Sequence, residues 1–279
     1  MTGDARHPRA LLARWGLRPK KKFGQNFLVE DNAARRIARL TLSSGDSARV
    51  LEIGAGTGAL TRALLDEGAA GVTVLEIDAA LVDVLRSRDD LSNVEIVCAD
   101  ALEFDYARWA GGRPWRVAGN LPYNIATPLI VRFAEMNDGP LSLCVMVQKD
   151  VADRLAAKPG SKAYGSLSVA VQYAMEVERS FTLGPRSFYP PPKVHSTVVM
   201  LRRRAVPAVK PRDFALFRKV VRAAFAYRRK TLANSLSLAL GIERASVERA
   251  LASCNLSPEL RGERLTLDDF SRVADALAQ

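Results

Sequence analysis

Short apolar runs recur through the first two-thirds of the chain, each followed by a turn and a stretch with helical spacing. Residues 49–53, 72–77, 94–98, 115–119 and 141–147 read as strands, and residues 31–40, 59–65 and 79–85 as helices. Short buried strands alternating with helices predict a mostly parallel, doubly wound sheet of the Rossmann-like α/β class. Residues 196–201 alternate in a way that suits one further strand. Beyond Pro207 and Pro211, which mark a linker, the pattern turns helical. Asp213 can cap a helix whose apolar face includes Phe214, Phe217, Val220, Val221 and Phe225. Ser257-Pro258 reads as a second helix start, and Thr266 with Asp269 as a capping box opening the last helix. The expected organisation is therefore a basic, disordered arm (1–20), an α/β domain (21–204) and a small all-helical domain (212–279).

Charge changes this picture more than composition does. The chain of 279 residues is 48% hydrophobic and 25% charged, as soluble globular proteins are. No apolar run reaches membrane-spanning length, and the patch at 10–13 is too short for a secretion signal, so a cytoplasmic protein is expected, with no membrane partner. Three separated cysteines and two scattered histidines give no metal-ligand spacing, so no metal is expected. The net charge of +11 is unevenly spread. Residues 201–230 hold eleven Lys or Arg against one acid, and residues 1–30 hold seven against two. The rest of the chain is slightly acidic. Two basic blocks around an acidic body point to a phosphate backbone as partner.

The candidate chemistry lies at the carboxyl ends of the expected strands. Glu52-Ile53-Gly54-Ala55-Gly56-Thr57-Gly58 joins strand to helix, with glycines that permit a tight turn and close ligand approach. Its spacing is not the G-x-G-x-x-G of dinucleotide loops, and a carboxylate ahead of it would repel pyrophosphate. That acid would attract a cation, which favours S-adenosylmethionine over NAD. Glu76 ends the next strand and can accept both ribose hydroxyls, while Asp78 reads as a helix cap. Asp100 ends the third and can accept from the adenine amine. Asn120-Leu121-Pro122-Tyr123 follows the fourth strand. By itself it also suits an ordinary strand-to-loop turn. At a crevice, its amide and a backbone carbonyl can accept from an exocyclic amine while the tyrosine stacks on the ring. An amide is no general base at neutral pH, which disfavours proton abstraction, hydride transfer and hydrolysis.

Several further segments, in order, carry a resemblance. They are Gly24-Gln25-Asn26-Phe27-Leu28, Gln148 to Leu155, Tyr164 to Val169, Phe188 to Val194 and Arg228 to Leu236. With the loop and the Asn120 motif, the chain resembles the ribosomal RNA adenine dimethyltransferases from Phe23 onward, and their small-subunit branch most. The resemblance implies N6,N6-dimethylation of two adjacent adenosines near the 3′ end of small-subunit (16S) rRNA during ribosome assembly. It implies S-adenosyl-L-methionine held by Asn26, Leu28, Gly54, Gly56, Glu76, Asp100, Ala101 and Asn120. Asn120 and Leu121 would hold the target amine, with Pro122 shaping the turn and Tyr123 and Phe188 sandwiching the flipped base. Arg202, Arg203, Arg204, Arg222, Arg228, Arg229 and Lys230 are the candidate RNA contacts, the small subunit the partner, and a monomer the expected state. The alternatives are a large-subunit enzyme of the macrolide-resistance type and a non-catalytic RNA-binding assembly factor, with a dinucleotide oxidoreductase more distant. Two departures stand out: Ala55 where many relatives have proline, and Ala226-Tyr227 where Asn-Gln is commoner.

Overall fold

The computed structural model describes residues 7–227 and 229–278. Helix α1 (Pro8–Arg14) precedes a two-residue strand, β1 (Phe27–Leu28), and helix α2 (Asp31–Thr41). Three strand-helix steps follow: β2 (Arg49–Ile53) with α3 (Ala59–Asp66), β3 (Val72–Glu76) with α4 (Ala79–Arg86), and β4 (Glu95–Cys98) with α5 (Tyr106–Ala110). The chain continues through β5 (Trp115–Asn120), α6 (Tyr123–Glu135), β6 (Ser142–Gln148), α7 (Lys149–Leu155), α8 (Ser166–Ala174), β7 (Met175–Leu183), β8 (Phe188–Tyr189) and β9 (Ser196–Arg203). Four helices close it: α9 (Phe214–Ala224), α10 (Leu232–Leu240), α11 (Arg244–Ser253) and α12 (Leu267–Leu277).

Seven strands form one sheet in the order β4-β3-β2-β5-β6-β9-β7. The first five are parallel, and β9 runs antiparallel to β6. The α/β class expected from the apolar pattern is therefore the one observed. From β2 the chain steps outward through β3 to β4, then returns to place β5 on β2's other side. Such a reversal opens a crevice at the carboxyl ends of the two central strands. Val50, Leu51, Val74, Val117 and Val145 fill the sheet interior and are fully buried. Each contributes about 1.5–3 kcal/mol relative to an exposed side chain.

Three local expectations need correction. The arm from His7 is not unstructured: Pro8 starts α1, the His7 side chain accepts from the Arg9 N–H, and Leu12 packs with Phe27 and Leu81. Residues 1–6 lie outside the described residues. Residues 196–201 do form a strand, but every one is buried, because β9 lies between β6 and β7 rather than at an edge. Ser257-Pro258 starts a turn and no helix. The Pro258 and Leu260 carbonyls instead accept from Ala233 and Leu232, satisfying the open N–H groups at the start of α10.

The chain divides into two units, one of residues Met1–Ala152 with Val177–Arg203, the other of Asp153–Glu176 with Arg204–Gln279. The second thus includes a segment that the apolar pattern places inside the α/β span of 21–204. Its core draws Ala157, Tyr164 and Val169 together with Phe217, Val220, Leu232, Val247 and Phe270. As expected, Asp213 caps α9, and Thr266 and Asp269 form the capping box of α12. Among the described residues no helix is long and apolar enough to cross a membrane.

Candidate active site

The crevice holds a cavity of about 320 Å³ bounded by the ends of β2, β3, β4 and β5 and by the segment before α2. Asn26, Leu28, Gly54, Gly56, Glu76, Asp100, Ala101 and Asn120 all line it, as do Leu121, Pro122 and Tyr123. The structure does not bring Phe188 to this cavity. It pairs with Leu28 across the β1–β8 ladder and is only 3% exposed, within the apolar core.

The glycine loop is shaped by two constraints. Gly54 and Gly56 both have positive φ, a left-handed conformation that side chains disfavour. A Cβ on Gly56 would also lie 2.6 Å from Phe27 Cδ1. Gly56 therefore makes room for a ring of the protein itself. That signal is tertiary and has no trace in the loop's spacing.

Three acids line the cavity. Glu76 is buried, and its two oxygens accept from the Gly56 N–H at 2.9 Å and the Asp78 N–H at 3.0 Å. Burial raises its pKa despite those donors. A carboxylate has about four lone-pair sites, so Glu76 keeps acceptor capacity for a ribose diol. Asp100 fastens one oxygen to the Leu102 N–H at 2.8 Å. Glu52 is 1% exposed, and its Oε2 has no hydrogen-bond partner among the described residues. Burial, with the neighbouring Glu76 charge, pushes its pKa up to about 8. An orphaned, buried carboxyl oxygen beside a glycine loop fits a ligand that brings a cationic donor. These residues therefore suit a nucleoside cofactor carrying an ammonium or sulfonium.

At the end of β5, Asn120 Nδ2 donates to the Asn26 carbonyl at 2.7 Å. That bond uses the amide nitrogen and leaves Oδ1 as the acceptor. The Leu121 N–H is held by the Met146 carbonyl at 3.1 Å. Pro122 is the N-cap residue of α6, and its carbonyl accepts from Ile125 and Ala126. Tyr123 opens that helix, with its hydroxyl 2.9 Å from Ser196 Oγ and its pKa raised by burial. The motif is a strand-to-helix turn that fixes three chemical groups at one wall.

The basic candidates separate by their partners. Arg203 donates to the main-chain carbonyls of Pro140 (3.0 Å) and Phe133 (2.5 Å), a structural role that sequence could not reveal. Arg202 pairs with Glu178 and Arg204 with Glu176, both at 3.0 Å. Arg222, Arg229 and Lys230 are exposed, and Arg228 lies outside the described residues.

A Rossmann-like sheet with a glycine loop after β2 and carboxylates ending β3 and β4 defines a class I methyltransferase. The profile of the family described as ribosomal RNA adenine dimethylase matches residues 16–278, and the chain belongs to that family. It is an S-adenosylmethionine-dependent rRNA adenine dimethyltransferase. A relative named ribosomal RNA small subunit methyltransferase A, from Geobacter metallireducens, is 44% identical over 271 residues, covering 94% of this chain and 96% of its own. One of the same name from Streptococcus gordonii is 42% identical, covering 96% and 95%. Among solved structures, the 23S rRNA methyltransferase ErmE aligns with a TM-score of 0.69 at 28% identity, covering 91% of this chain and 100% of its own. A dimethyladenosine transferase from Plasmodium falciparum shares the fold with a TM-score of 0.72 at 24% identity, over 88% and 95%.

Proposed function

We propose that this enzyme dimethylates the N6 amines of two adjacent adenosines near the 3′ end of 16S rRNA, on the small ribosomal subunit, during its assembly. It would act as a cytoplasmic monomer. The observation that carries the reading is the Asn120 amide, whose nitrogen is engaged by Asn26 so that its oxygen is left to accept from an amine. The relatives named for the small subunit are 42–44% identical, against 28% for the large-subunit enzyme, which favours the small-subunit substrate.

Glu76 would hold the cofactor's ribose hydroxyls, Asp100 its adenine amine and Glu52 its ammonium, against walls formed by Asn26, Leu28, Gly54, Gly56 and Ala101. When bound, S-adenosylmethionine supplies a methyl group already activated on a sulfonium. The rest falls to the chain. The lone pair of an adenine N6 is delocalised into the ring, which makes it a poor nucleophile. Asn120 Oδ1 and the Leu121 carbonyl, accepting its two N–H groups, favour a pyramidal nitrogen and orient the freed pair. The displaced proton can leave to water. After one transfer a single N–H remains, so ring stacking must carry more of the second binding event, about 1–3 kcal/mol per base. Tyr123 takes that role, since Phe188 is covered by the core in this structure.

For RNA, Arg222, Arg228, Arg229 and Lys230 are assigned to phosphates. Arg202 and Arg204 sit in exposed ion pairs worth about 0–1 kcal/mol, weak enough to exchange onto a phosphate. The test offers labelled S-adenosylmethionine with unmethylated small subunits, large-subunit RNA or free small-subunit RNA, and maps products by mass spectrometry. Two dimethyladenosines in 16S rRNA are expected. Label confined to large-subunit RNA would move the enzyme to the resistance class, and no transfer to any substrate would leave a non-catalytic RNA binder.

A further inference from the structure

Asp78 lies two residues beyond Glu76 and caps α4, but the cap is its longest contact: the Ala80 N–H is 3.3 Å away. Its shorter contacts reach a distant part of the chain. Lys20 Nζ donates to Oδ1 at 2.7 Å, and Gln25 Nε2 to Oδ2 at 2.9 Å. The main-chain N–H of Lys20 in turn donates to Gln25 Oε1 at 2.7 Å. Asp78, Lys20 and Gln25 thus close a ring, and both ends of the Gln25 amide are engaged. Burial opposes the ionised form of Asp78, yet Lys20 and Gln25 outweigh it and hold its pKa below the usual carboxylate value.

The residue after Gln25 is Asn26, whose carbonyl holds Asn120 Nδ2. Helix capping does not call for a carboxylate whose side chain is 5% exposed to take a lysine and an amide more than fifty residues away. We propose that Asp78 is a positioning residue. Through Lys20 and Gln25 it clamps residues 20–26, so that the Asn26 carbonyl keeps the Asn120 amide turned with its oxygen toward the target amine. An amide is nearly symmetric in shape, and its two orientations are distinguished only by their partners. Freed from Asn26, the Asn120 amide can turn over and present N–H to N–H, which abolishes the contact. The consequence rests on the role given to Asn120 under Proposed function, while the clamp does not.

Cap and clamp can be separated by substitution. Asn is as good an N-cap as Asp, so Asp78→Asn keeps the start of α4 while turning one acceptor into a donor that faces Lys20 or Gln25. Lys20→Met breaks the ion pair and leaves α4 untouched. The measurement is the side-chain amide spectrum of ¹⁵N-labelled full-length protein without RNA or cofactor, the Asn120 signal being assigned by its loss in Asn120→Ala. In the wild type that signal is expected to be shifted and protected from solvent exchange. In both Asp78→Asn and Lys20→Met it is expected to move to the position of a free amide. Turnover is expected to fall at least tenfold in both, with RNA affinity within twofold of wild type. An Asn120 signal unchanged in both variants overturns the clamp, whatever happens to activity. A moved signal with unchanged turnover upholds the clamp and overturns the role given to Asn120.

Discussion

Glu52 shows how one buried group can report on a whole site. Its pKa, raised to about 8 by burial, means that it is protonated in the folded protein and ionised in the unfolded chain between about pH 4.5 and 8. The unfolded state then binds fewer protons, so its contribution to stability falls as pH rises through that interval and levels off above it. Glu52→Gln is expected to remove this slope, visible as a difference in denaturant midpoint between variant and wild type that grows from pH 5 to pH 8. The same variant is expected to bind the cofactor more weakly in calorimetry. Asn120→Ala is expected to lower turnover about 100-fold, the scale on which losing one oriented hydrogen bond acts, while RNA affinity is retained. Normal methylation by that variant would remove Asn120 from the mechanism. The types of these residues were legible in sequence, because an acid or an amide at a strand end has few uses. Their partners were not. The Asn26 carbonyl against Asn120 and the loop N–H groups against Glu76 depend on segments far apart in sequence.

At the scale of elements, the strands of the parallel sheet stood out because β2, β3, β5 and β6 are compact apolar runs buried on both faces, and the edge strand β4 keeps Ile96 and Val97 at its centre. Strand β7 did not, since Glu176, Glu178 and Arg179 interrupt its apolar residues, and its burial is partial. The apparent helix start at Ser257-Pro258 failed for a different reason: the carbonyls of Pro258 and Leu260 serve α10. Local sequence cannot show that competition. The glycine loop carries its own test. Gly56→Ala places a methyl against the Phe27 ring at a positive φ, so the segment that covers the loop must shift. A stability loss of about 1–3 kcal/mol is expected by chemical denaturation, together with weaker cofactor binding. Wild-type stability in this variant would mean that Phe27 moves aside at little cost.

Across the whole molecule, the uneven charge was the clearest signal in the sequence, yet only part of it is free for RNA. Arg203 is consumed by main-chain carbonyls, whereas Arg222, Arg229 and Lys230 are exposed. Reversing charge at Arg228, Arg229 and Lys230 is expected to weaken RNA binding and flatten its salt dependence. Each lost phosphate contact removes about 0.7–0.9 from the logarithmic slope. A lower affinity with an unchanged slope would show that these side chains act through the fold and not through phosphates.

The order in which the two units can be completed follows from the path of the chain. Asp153–Glu176 belongs with residues that emerge later, after Val177–Arg203 has gone to the first unit. During synthesis Tyr164 and Val169 must therefore wait for Phe217, Leu232, Val247 and Phe270 before their apolar faces are covered. A single cut after Arg203 keeps the first unit whole but leaves Asp153–Glu176 attached to it, and no single cut frees the second. A chain ended after Arg204 is expected to carry that uncovered face, to bind a hydrophobic dye and to aggregate, whereas the full-length protein does neither. For this enzyme, the methyl-transfer fold has all its residues once Arg203 has emerged, whereas the helical fold is finished only by the last stretch of polypeptide.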